Sequence, residues 1–276
     1  MPLSINTNVA SMAAQRSFMS SNAALETAFE RLSSGKRINS AVDDAAGLAI
    51  GKDLEARVSG LNQAIRNTND GISMVQIAES AMDEATTILQ RMRDLAVQAA
   101  NDSLTTTERG YLDDEASKLS TTLNAVLDQA TFNGKDLIDT DANVTLTFQI
   151  GADNGDTLAV QIDSLSAATL TVEASDIQIG TTVALASAAI GKIDTALGVL
   201  YSDRAGLGAV QAQMESTVRN LSNVAENTAA ATGRVIDTDY AAETANLTKA
   251  QILQQAATSI LAQANAQPQS VLALLQ

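Results

Sequence analysis

The chain has 276 residues and a formal net charge of −15, from 17 Lys+Arg against 32 Asp+Glu. It contains no His, Cys or Trp, which excludes a disulfide framework, a thiol nucleophile, a Ser-His-Asp apparatus and an imidazole metal site. The length permits one or two domains with a sizeable core, and the acidic balance argues against a general binder of nucleic acid.

The first 25 residues carry a single charged side chain, Arg16. Within them Ile5, Val9, Met12 and Met19, with Arg16 between, follow helical spacing and form a short apolar stripe. Gly35 ends that helix. Ser40 followed by Asp43 resembles a capping box and opens a long helix over about 42–100. There Leu61, Val75, Met82, Leu89 and Ala96 recur every seven residues with Thr68 filling the gap. Three residues after each comes a second row of small or apolar residues: Ala64, Gly71, Ala78, Ala85, Met92 and Ala99. Heptads sustained this long predict a packed helix. Thr105 with Glu108 caps a third helix reaching Asp128, with Leu112, Leu119, Leu123 and Val126 or Leu127 on its apolar face.

The middle changes period. Val144, Leu146, Phe148 and Ile150 alternate with polar residues, Gly151 to Asp156 supplies turn chemistry, and Leu158, Val160 and Ile162 alternate again. This predicts a β-hairpin near 143–163. The stretch around 163–186 reads as a short strand or a loop. Residues 187–232 form the last long helical pattern, from Ile190 and Ile193 through Leu207 and Met214 to Val224.

At the C-terminal end Ala250, Leu253, Ala257, Ile260, Ala264, Val271 and Leu274 step by threes and fours, interrupted by Gln267, as one stripe of a coiled coil. Residues 246–276 carry one charge, Lys249, whereas 101–180 hold 14 acidic against 3 basic side chains, a net of −11. Charge-depleted ends suit a buried protein–protein interface, and the acidic middle suits a solvent-facing surface. No membrane span is read at either end, since no run approaches 18 apolar residues, and no cleavable signal peptide is read at the start.

Several segments resemble bacterial flagellin, the subunit of the flagellar filament: Leu3 to Asn8, Leu32 to Asn39, Asp43 to Ile50, Gln90 to Asn101, Phe132-Asn133-Gly134 and Ala264 to Leu275. They occur in the family's order and cover roughly 1–140 and 187–276. The resemblance implies a mainly α fold, a long antiparallel helical bundle and coiled coil formed by both chain ends with a small β-hairpin region between them. It divides the chain into an inner coiled-coil domain, 1–40 plus 236–276, and a helical rod, 41–235. With only about 50 residues between Asn133-Gly134 and the last long helix, a compact form without large outer domains is expected.

The implied function is a structural subunit that self-assembles into the filament used for swimming, not an enzyme, with no cofactor. Ile5, Val9, Met12, Ala250, Leu253, Ala257, Ile260, Ala264, Val271 and Leu274 are the residues expected to build the inner coil. The implied partners are further copies of the chain, the flagellar type III export apparatus, a chaperone on 247–276, the filament cap and hook-junction proteins. The implied location is extracellular, reached without signal cleavage. Isolated terminal helices are marginal in water, so 1–35 and 240–276 are expected to be disordered in the free subunit and to fold on assembly.

Single sites yield less. Asp139-Thr140-Asp141-Ala142-Asn143 copies the opening of a calcium loop, but Val144 stands where Gly is required and Ile150 where the final carboxylate belongs. Asp43-Asp44 and Asp113-Asp114 are adjacent on helices and diverge by about 100°, which suits caps or solvated faces rather than a catalytic pair. Arg91, Leu95 and Glu115 by themselves read as helix packing with an ionic rim. By resemblance they match positions recognised by a vertebrate Toll-like receptor. A hook–filament junction protein and a surface-displayed binding protein are the alternatives, and the scarcity of aromatics argues against a carbohydrate platform.

Overall fold

Nine elements follow from these patterns in the computed structural model, which describes residues 7–139 and 142–273, with side chains through Ala266. Helix α1 (Val9–Ser34) is capped by Asn8, whose Oδ1 accepts the Ser11 N–H at 3.1 Å, and stops at Gly35, whose φ of 70° is the left-handed conformation of a helix end. Helix α2 (Ala45–Ala99) begins later than the Ser40–Asp43 signal suggests. Asp43 instead closes the turn before the helix, accepting the N–H groups of Ser40 and Asn39 at 3.0 and 3.1 Å, and Asp44 caps α2 by accepting the Gly47 N–H at 2.9 Å. Helix α3 (Thr106–Asp128) carries the full Thr105–Glu108 capping box.

Two antiparallel hairpins follow. Strands β1 (Thr131–Phe132) and β2 (Lys135–Asp136) enclose Asn133 and Gly134, both at positive φ. Asn-Gly is the pair that a two-residue type I′ turn demands, so the structural reason for Phe132-Asn133-Gly134 is this hairpin. Strands β3 (Val144–Gln149) and β4 (Thr157–Ile162) pair from Val144↔Ile162 to Gln149↔Thr157. Helices α4 (Val183–Ile236) and α5 (Tyr240–Ala273) complete the chain.

The chain divides into two compact units. One joins Met1–Val58 to Asn227–Gln276, the other is Ser59–Glu226. The lower ends of α2 and α4 therefore go with the terminal helices.

In the first unit α1 and α5 run antiparallel. Ser11 Oγ donates to Asn265 Oδ1 at 2.7 Å and Gln254 Nε2 donates to Asn22 Oδ1 at 2.6 Å. Eleven residues along α1 match eleven back along α5, so the register does not slip. The chain crosses over at residues 35–38. Arg37 N–H and Nη2 donate to the carbonyls of Ile236 and Val235 at the end of α4, Thr238 N–H donates to Gly35, and Lys36 bridges to Asp237. A side chain at Gly51 would collide with Ile236, which fixes the close approach of α2 and α4 there.

The second unit has one core. Both heptad rows of α2 from Leu61 to Ala99 are buried, including Thr68, whose hydroxyl donates to the Ala64 carbonyl at 2.7 Å. From Val75 onward they share one cluster with Leu123 and Leu127 of α3, Ile193, Leu200 and Met214 of α4, and Leu146, Val160 and Ile162 of the hairpin. A Cβ at Gly71 would press on Phe148 and Met214 at 3.1 Å, so the glycine lets the hairpin lie against α2. The segment 163–182 is a loop, and it is packed inward: Leu165, Leu170, Val172, Ile177 and Ile179 are buried in the same core. Among the described residues α4 alone is long and apolar enough by composition to cross a membrane. Its Ile193, Leu197 and Leu200 are buried in the core instead.

Candidate assembly and recognition surfaces

The seam between α1 and α5 is built mostly from small side chains, with Glu243 the exception. On α1 the buried residues are Ser11, Ala14, Ser21 and Ala28; on α5 they are Glu243, Ala250, Ala257 and Ala264, again at heptad spacing. Small residues allow two helix axes to approach closely. They also bury little apolar area, at roughly 25 cal/mol per Å², so this pairing alone is weakly held.

The stripe expected from sequence therefore splits. Ala250, Ala257 and Ala264 lie in the seam. Val9 and Met12 are 66% and 57% exposed, and Leu253 and Ile260 are 48% and 56% exposed. Met19, Phe29 and Ile252 join them on the surface. Within the subunit the small residues pair and the larger ones stay exposed. Val271 belongs to α5, but its side chain is outside the described set, as are Ile5 and Leu274 altogether.

Across the seam Asn8 has a second role, since its Nδ2 donates to the Ala264 carbonyl at 2.8 Å. Neither this bond nor the Asn22–Gln254 and Ser11–Asn265 pairs were anticipated from spacing, because polar residues on a helix surface carry no partner signal.

In the second unit Arg91 and Glu115 form a two-pronged ion pair, Nη2 and Nε donating to Oε1 at 2.7 and 3.2 Å, with both side chains about half exposed. Leu95 does not share that surface. It is 1% exposed and packed in the core of the second unit, as the helix-packing reading expects. Thr140 and Asp141 of the calcium-like run lie outside the described residues. Among the described residues no group of three or more His, Asp or Glu could hold a metal ion. Asp113 is a clamp: its Oδ1 accepts the N–H groups of Ile179 and Gly180 at 2.9 and 3.1 Å and ties segment 163–182 to α3. Asp114 takes no part in that clamp.

Paired terminal helices with a weak internal seam and large apolar side chains turned outward define a structural protein of the self-assembling helical class. The comparisons narrow this. The family model for the bacterial flagellin N-terminal helical region matches residues 5–143, and that for the C-terminal helical region matches 190–275. A flagellin of Halalkalibacterium halodurans is 42% identical over 274 residues, covering 99% of both chains, and flagellin A of Vibrio anguillarum is 35% identical over 381 aligned positions, covering all of both. A solved Vibrio parahaemolyticus chain described as flagellar hook-associated is similar in fold, with a TM-score of 0.59 at 15% identity over 71% of this chain and all of that one. The chain belongs to the bacterial flagellin family. It is a structural subunit of the flagellar filament, in a compact form, and the flagellin identities favour this over a junction protein.

Proposed function

We propose that the subunit polymerises through its terminal helices, with 1–40 and 236–276 forming the inner coil and 41–235 the rod. The observation that carries this reading is the outward exposure of Val9, Met12, Leu253 and Ile260 on helices whose own seam is mostly Ala and Ser. Ile5, Val271 and Leu274 are assigned to the same inner coil from the sequence pattern alone. Because the seam holds weakly, 1–35 and 240–276 order only when neighbouring copies cover the apolar side chains, and assembly is cooperative.

The same unfolded, lightly charged ends suit threading through the type III export apparatus without signal cleavage. A chaperone covering 247–276, the filament cap and hook-junction proteins complete the partner set, all of them contributed by the family resemblance. Recognition by a vertebrate Toll-like receptor is assigned, through the family resemblance, to Arg91, Leu95 and Glu115, of which the Arg91–Glu115 ion pair is exposed.

Electron microscopy of purified subunit after a salt step tests the central reading. Salt screens repulsion between −15 subunits over about 8–10 Å, so long regular filaments are expected. Short oligomers only, or no polymer, would overturn it.

A further inference from the structure

The loop joining β3 to β4 runs from Ile150 to Asp156, seven residues between the paired Gln149 and Thr157. At its tip Asp153, Asn154, Gly155 and Asp156 form a turn closed by the Asp156 N–H on the Asp153 carbonyl at 3.3 Å, and all four residues are exposed. Gly155 has a φ of 95°, a conformation that favours glycine, and a Cβ built on it meets nothing within 4 Å. Its N–H is not engaged in any backbone bond of the turn, and the Asn154 side chain has no hydrogen-bond partner among the described residues. An asparagine amide free to rotate, followed by an unhindered glycine nitrogen in an exposed turn, is the arrangement in which intramolecular imide formation is fastest.

We propose that Asn154 is a self-modification site that deamidates with water as the only co-reactant. The Gly155 nitrogen attacks Cγ of Asn154. The new C–N bond closes a five-membered imide, and the side-chain nitrogen leaves as ammonia, taking up the proton lost from Gly155. Water then adds to one of the two imide carbonyls and breaks its C–N bond, giving aspartate or its β-linked isomer. No oxidant or reductant is needed. The product places three carboxylates within four residues at the hairpin tip, and in the β-linked form it lengthens the loop backbone by one methylene.

The chain has a second Asn-Gly, Asn133-Gly134, also exposed and also with open space at the glycine. The backbone distinguishes them. Asn133 is held at φ 51° in a two-residue turn, directly between the paired Phe132 and Lys135, with buried Leu137 and Ile138 anchoring the next residues. Reaching the imide there requires opening that pairing, whereas Asn154 sits in a seven-residue loop outside the strand pairs, tied by the Ile150 N–H on the Asp156 carbonyl and by Gln149 Nε2 on the Gly151 and Asp153 carbonyls, none of which engages Asn154 or the Gly155 N–H.

Full-length protein incubated at mildly alkaline pH and followed by peptide mass mapping, with enzymatic methylation to detect β-aspartyl linkages, tests this. Asn154 is expected to convert about tenfold faster than Asn133, equivalent to ~1.4 kcal/mol in barrier, and Asn154→Gln to remove that signal while leaving Asn133 unchanged. An Asn154 peptide that stays unmodified, or that converts no faster than the Asn133 peptide, overturns the assignment.

Discussion

Asn8 completes a helix that it does not belong to. Pro268 lies within α5 and has no amide hydrogen, so the carbonyl four residues earlier, that of Ala264, loses its helical donor. The Asn8 Nδ2 supplies one from α1 at 2.8 Å, while its Oδ1 caps α1 itself. Asn8→Ala should weaken the α1–α5 pairing by about 1 kcal/mol, read as a higher critical concentration for polymerisation. Pro268→Ala restores the intrahelical donor and should rescue most of that loss; a double variant no better than Asn8→Ala would show that the bond to Ala264 is incidental.

The outward apolar side chains give a cleaner separation of folding from assembly. Leu253→Gln with Ile260→Gln removes exposed apolar surface from α5 and touches nothing in the core of the second unit. Its thermal unfolding should change by no more than about 0.5 kcal/mol, while filament yield after a salt step collapses. Ala257→Leu should also block assembly, through the seam, because overpacking such a site costs about 1–3 kcal/mol.

Asp113 satisfies two backbone donors with one carboxylate oxygen, and Gly180 has no room for a Cβ because Asp113 Cβ would lie 2.9 Å away. Asp113→Ala should cost about 2 kcal/mol, the range for stranding partly buried donors of a charge-assisted bond. Hydrogen exchange should speed up in 165–180 before it does in α3; unchanged protection there would remove the clamp.

Acid should loosen the crossover in the first unit. The Ser40 and Asn39 N–H groups hold the Asp43 carboxyl below the usual carboxylate range, and hydrogen bonds from Lys52 and then Lys36 do the same for Glu55. Both folded-state values lie below those of the unfolded chain. The stability they add is therefore present in full above the ordinary range, near pH 4, and is lost as pH falls through the lowered values. Asp43→Asn should be less stable than wild type at neutral pH, and the gap should narrow on acidification. A gap that widens would reverse the sign.

The proposed receptor recognition separates the three matched residues by experiment. Arg91→Ala and Glu115→Ala alter an exposed pair worth no more than about 1 kcal/mol to the fold, so signalling by soluble subunit should fall while melting hardly moves. Leu95→Ala should instead cost about 2–5 kcal/mol of stability.

Most of the helical architecture was legible because it is periodic. The heptad rows from Leu61 to Ala99, the Thr105–Glu108 box and the alternation of Val144 to Ile162 each encode local geometry, and each appears where its spacing says. Ser40–Asp43 misled because the same side-chain-to-backbone bond closes a turn as readily as it starts a helix. The Asn133-Gly134 hairpin carried a clear signal of its own in the Asn-Gly pair. The sequence by itself thus determined long helices, lightly charged ends and an acidic middle, since period and charge are properties of the chain alone. Tertiary structure decided which face of each terminal helix pairs within the subunit. Ala14 and Ala257 turn inward and Leu253 and Ile260 outward because the close, slip-free approach of α1 and α5 admits only small side chains, and that choice depends on residues more than two hundred positions apart.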